Sequence, residues 1–73
     1  MFNKNRFLAV LKERGISVKA LAEAIGISPA SLYGRIRGET QFYNGEIASI
    51  AVAVPLTDSQ IISIFFDREL NKC

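Results

Sequence analysis

Apolar residues along this chain recur in short helical bursts, each closed by a glycine or a proline. In the first burst Phe7, Leu8 and Leu11, with Val10 at the edge, share one side of a helix read over residues 5–14. Asn3 or Asn5 offers the capping oxygen, and Lys12 and Arg14 fall in the last turn, where cations complement the helix dipole. Gly15 then ends the helix and Ile16 folds back over it. A second stripe, Val18, Leu21, Ala22 and Ile25, predicts a helix over 18–25 capped by Ser17. Leu32 and Ile36, four apart, give a third helix over 29–37 its buried side. Ile47, Ile50, Ala51 and Val54 mark a fourth, from Asn44 as N-cap to about Val54, with Glu46 in its first turn and Pro55 as its stop. Thr57 and Gln60 form a T-x-x-Q capping box that opens a fifth.

Five apolar residues in the six positions 61–66 exceed what one helical stripe can hold. Either the fifth helix ends near Ile64 and Phe65 and Phe66 tuck back, or Ile62, Phe65 and Phe66 meet a second chain. Between the third and fourth helices lies a loop in which Phe42 is read as a satellite of the core. Tyr43 either staples onto the fourth helix or turns its hydroxyl outward. The fold class expected is all-α, five short helices around one core, in a single domain spanning residues 1–73.

The junction between the second and third helices is the most informative stretch. Gly26 supplies a left-handed residue, Ile27 turns inward, and Ser28-Pro29 caps and starts the next helix. Two short helices joined by so tight a turn, over residues 17–38, form a helix-turn-helix, whose second helix can enter a DNA major groove. Gly34, in mid-helix, costs roughly 1 kcal/mol relative to alanine. It reads as a tolerated surface position or as a place where another backbone comes close.

Composition narrows the reading. At 73 residues and 49% hydrophobic, the chain can bury one small core, and some apolar surface is left for a second copy. The longest apolar run, 47–56, is too short to span a membrane, and the N-terminal MFNKNRF lacks the apolar core of a signal peptide. The single cysteine, Cys73, has no internal partner, which fits a reducing cytoplasm. There is no histidine, no metal-spaced cysteine set, no phosphate-cradling glycine loop and no nucleophile–base pair, so an enzyme, a metal site or a cofactor is not expected.

Charge is divided unevenly. Residues 1–38 hold seven basic and two acidic groups, a balance of +5, while residues 39–73 hold two basic and five acidic, a balance of −3. The basic half contains the helix-turn-helix, as a phosphate-facing surface requires. Arg6, Lys12 and Arg14 read as solubilising charge. On the third helix the groove-facing positions are Ser28, Pro29, Ala30, Ser31, Tyr33, Gly34 and Arg37. Ser28, Ala30, Ser31, Tyr33 and Arg37 are the expected base contacts, although Arg37 is the only one of the residue types that pair bidentately with a base edge. Lys19, Arg35, Gln41, Tyr43 and Asn44 are the expected phosphate contacts.

LAEAIGIS followed by a short helix ending in RG resembles the lambda-repressor-like helix-turn-helix family of phage repressors and Cro-type regulators. SLYGRIRGETQF, GEIASI and PLTDSQIISIFF are similar to a subgroup of small regulators from phages and prophages of Gram-positive bacteria. The features carrying that likeness are Arg35-Ile36, then Phe42, Glu46 and Ile47, then Ile64, Phe65 and Phe66. The wider family mostly has an apolar residue where Arg35 stands, whereas the subgroup accepts a basic one. The resemblance covers about residues 6–66. It implies a five-helix DNA-binding domain, often dimeric, acting in a lysis–lysogeny switch.

Two functions are weighed. The first is a transcriptional regulator that binds double-stranded operator DNA as a homodimer. The second is an antirepressor or modulator that binds another phage regulator and masks its DNA-reading face. The thin set of base readers and the acidic, apolar C-terminal half motivate the second reading.

Overall fold

The computed structural model describes residues 2–66 and contains five α-helices. They are α1 (Lys4–Arg14), α2 (Val18–Ile25), α3 (Pro29–Arg37), α4 (Asn44–Ala53) and α5 (Asp58–Phe65). Cys73, with the charged residues Asp67, Arg68, Glu69 and Lys72, lies outside the described residues.

Local capping chemistry fixes most boundaries. The side chains of Asn3, Ser17, Ser28 and Thr57 each accept from the backbone N–H three residues on, satisfying donors that a helix leaves orphaned. Thr57 and Gln60 complete the reciprocal box, since the Gln60 side chain accepts from the Thr57 N–H at 3.0 Å. Helix α1 starts one residue before its predicted first position, because Asn3 rather than Asn5 is the cap. Tyr43, not Asn44, is the N-cap of α4. The Glu46 carboxylate accepts from the Tyr43 N–H at 3.0 Å, so a residue three positions inside the helix does the capping. Asn44 is the first helical residue instead.

Helices α1, α2 and α3 end alike. Gly15, Gly26 and Gly38 sit at φ +70°, +80° and +86°, and the next residue returns its N–H to a carbonyl in the last turn. Those returns are Ile16 to Leu11, Ile27 to Ala22 and Glu39 to Gly34. This is the Schellman closure, which usually lays an apolar side chain over the helix end. Isoleucine fills that role twice. Glutamate fills it the third time.

The core consists of Phe7, Leu11, Leu21, Ala22, Leu32, Ile36, Ile50, Val54, Ile64 and Phe65. Helix α2 packs on α3 and α4, and α1 packs on α5. Phe2, Phe7, Phe42 and Phe65 form an aromatic cluster with centroid separations between 4.8 and 6.1 Å. The Asn3 N–H donates to the Ile64 carbonyl at 2.6 Å, tying the N-terminus to α5.

Three expectations change here. Leu8 is 38% exposed rather than inward, because the α1 stripe narrows to Phe7 and Leu11 with Val10 beside them. Phe65 lies in the core rather than on the outer surface, since α5 runs through it and turns its ring onto Phe2, Phe7 and Phe42. Phe66 and Ile62 remain exposed, at 44% and 46%. Phe2, absent from the predicted core, supplies one wall of the aromatic cluster.

Candidate nucleic-acid interface

Helix α3 is amphipathic across a sharp line. Leu32 and Ile36 are buried, and positions about 200° away on a 3.6-residue helix project from the opposite side. Gly34, two residues from each, marks the middle of that opposite side but is itself covered. Around it Ser28, Ala30, Ser31, Tyr33 and Arg37 are all exposed. The Ser28 hydroxyl both caps α3 at Ser31 N–H and donates to the Ser31 hydroxyl at 2.9 Å, so the two serines at its start hold one geometry.

Arg37, the last residue of α3, and Glu39 form a forked pair at the helix end. Arg37 Nε donates to one carboxylate oxygen at 2.9 Å and Nη2 to the other at 3.1 Å. The pair stands in solvent, with side chains 54% and 62% exposed. Hydrogen bonding to Arg37, reinforced by its charge, holds the Glu39 carboxyl below its usual value, and Glu39 raises the Arg37 guanidinium in return.

Arg35 is placed differently from expectation. Rather than standing free for phosphate, its side chain is 14% exposed and bridges two helices. Nε donates to Glu46 Oε1 at 2.7 Å and Nη1 donates to the Ser31 carbonyl at 3.2 Å. Its guanidinium carbon lies 5.5 Å from the centroid of the Tyr43 ring. Two glutamate contacts converge here, because the oxygen that Arg35 holds also accepts from Tyr43 N–H. Arg35, Glu46 and Tyr43 thus clasp α3 to the start of α4. Tyr43 is 68% exposed, so its ring covers Arg35 rather than stapling onto α4.

The remaining expected contacts fall into two places. Gln41 and Asn44 are exposed and line, with Arg35, Arg37 and Thr40, one cleft of about 640 Å³ whose apolar wall includes Phe42. Lys19 is exposed in the first turn of α2. Glu39 is the residue that sequence reasoning missed. Its signal was available: Gly15-Ile16 and Gly26-Ile27 are followed by Gly38-Glu39, and the third pair breaks the apolar rule.

A family model described as the Cro/C1-type helix-turn-helix DNA-binding domain matches residues 6–67, most of the chain. The chain belongs to that family. No curated protein matches it. Membership of a DNA-binding Cro/C1-type family agrees with the geometry of α2 and α3, two capped helices joined through Gly26 and Ile27. Among the described residues no helix is long and apolar enough to cross a membrane.

Proposed function

We propose that this Cro/C1-type domain is a phage or prophage transcriptional regulator that binds an operator as a homodimer in the host cytoplasm, with α3 in the major groove. The observation that carries the reading is the outward face of α3: five exposed residues, Ser28, Ala30, Ser31, Tyr33 and Arg37, around a helix whose other side is locked in the core. Arg37 is the residue suited to guanine O6 and N7, and Tyr33 and the serines add single bonds. Lys19, Gln41, Tyr43 and Asn44 would hold phosphate and set register. Arg35 acts as the brace that fixes α3 on α4, with any phosphate contact secondary. The exposed Ile62 and Phe66 on and after α5 are the surface offered to a second copy.

The test is a mobility-shift titration against a duplex selected from a randomised pool and against the unselected pool. The wild-type chain should prefer the selected duplex, and Arg37→Ala should lose about 1–3 kcal/mol of that preference, a factor of roughly five to 150. The antirepressor reading keeps one specific support: both α3 arginines are already engaged by carboxylates, which reduces the free positive charge that the helix presents. A chain that shifts no duplex by itself but abolishes the shift of another phage regulator would favour it.

A further inference from the structure

The Glu39 carboxylate occupies an unusual place. The Schellman closure of α3 returns the Glu39 N–H to the Gly34 carbonyl at 2.9 Å and thereby sets the side chain over the last turn. A Cβ built on Gly34 would have Glu39 Oε1 as its nearest neighbour, at 3.6 Å. Gly34 is the middle of the side of α3 opposite Leu32 and Ile36. A negative charge therefore stands on the surface of the helix-turn-helix that would meet a polyanion, and it is fixed there by backbone geometry rather than by a flexible side chain alone. Both its oxygens are spent on Arg37 Nε and Nη2.

We infer that Glu39 determines sequence specificity: it positions the Arg37 guanidinium for a base edge and repels the phosphate oxygens that would otherwise capture that arginine. The inference rests on α3 meeting DNA, as proposed above. Its chemistry is a trade. An arginine free to swing pairs with any nearby phosphate, which strengthens binding to every sequence equally and carries no information. A carboxylate beside it lowers that indiscriminate affinity and, because it engages Nε and Nη2, leaves Nη1 for a base edge. In the major groove a carboxylate is itself attracted only to amino groups, such as cytosine N4, and is repelled by guanine N7 and O6 and thymine O4. The preferred site should therefore carry guanine where Arg37 reaches and an amino-bearing base beside it.

The experiment uses the full chain and two fluorescent duplexes, one selected from a random pool and one scrambled, titrated across a salt series. Glu39→Gln keeps the size and removes the charge. It should bind the scrambled duplex about fivefold tighter, the effect of one like charge removed at contact distance in water. Its log–log salt slope should steepen by about 0.9, since Arg37 now neutralises one more phosphate. Its ratio of selected to scrambled affinity should fall. Glu39→Asp keeps the charge but is one methylene too short for the fork, so it should leave scrambled binding weak while the selected duplex is bound less tightly. Circular dichroism melts should show both variants folded with midpoints close to the wild type, because the pair is exposed and contributes little. A Glu39→Gln variant that weakens both duplexes in parallel, or leaves ratio and slope unchanged, would overturn the inference while leaving the DNA reading intact. A folded wild-type chain that binds neither duplex would overturn both.

Discussion

Gly34 and Glu39 define the residue scale, since each sits where simple pattern reading gives the wrong answer. Gly34 is neither a surface position nor a site of backbone approach. It is covered, yet the nearest foreign atom is a carboxylate oxygen at ordinary contact distance. Gly34→Ala should therefore recover helix propensity, and chemical denaturation should show a gain of about 0.8–1 kcal/mol. Glu39 gives a second expectation. Its carboxyl lies below the usual value in the folded chain, chiefly through the Arg37 hydrogen bond. A carboxylate depressed on folding contributes stability above its unfolded pKa, and the contribution is lost as pH falls through the folded value. That window lies on the acid side of ordinary carboxylates, so the pair is fully formed at neutral pH. A carbon-detected NMR titration should find the Glu39 midpoint low, and Arg37→Gln should return it to the ordinary value. In the sequence Glu39 was legible only as a glutamate standing where the first two helix ends carry isoleucine, because its fork with Arg37 forms across the αL turn at Gly38.

At the scale of elements, most of the fold was readable because its punctuation is chemical and local. Ser17, Ser28 and Thr57 cap as their residue type dictates, and Gly15, Gly26 and Gly38 stop helices where a left-handed residue is needed. Gly26→Ala should cost about 1–2 kcal/mol in a thermal melt, since its φ of +80° is strained for any residue with a Cβ. The start of α4 was misread by one residue because capping there comes from Glu46 reaching back, not from the asparagine that looks like a cap. The same glutamate holds Arg35, a tertiary pairing eleven residues apart that no local rule contains. Because this clasp is 14% exposed on each side, it lies between a surface pair and a buried one. A double-mutant cycle of Arg35→Met with Glu46→Gln should return a coupling of about 1 kcal/mol. Zero coupling would mean that the clasp does not orient α3.

Across the whole molecule, the aromatic cluster closes the core and leaves α3 facing out. Phe65 was ambiguous in sequence, where five apolar residues crowd positions 61–66, and the structure divides them: Ile64 and Phe65 inward, Ile61 half-buried against the core, Ile62 and Phe66 outward. Phe65→Ala should cost about 3 kcal/mol or more, whereas Ile62→Ala should stay within about 1 kcal/mol for the isolated chain. The charge asymmetry of the two halves was legible from the start, but its detail was not. Both α3 arginines are paired, so the outward face of α3 is less positive than the sequence count implies. The central claim is that the outward face of α3 is where this Cro/C1-type domain meets duplex DNA. Amide chemical-shift mapping of the labelled chain with its selected duplex tests that most directly. The largest shifts should fall at residues 28–37 and at Glu39, with smaller ones at Lys19, Gln41 and Asn44. Shifts confined to α1 and α5, or none at saturating DNA, would contradict it.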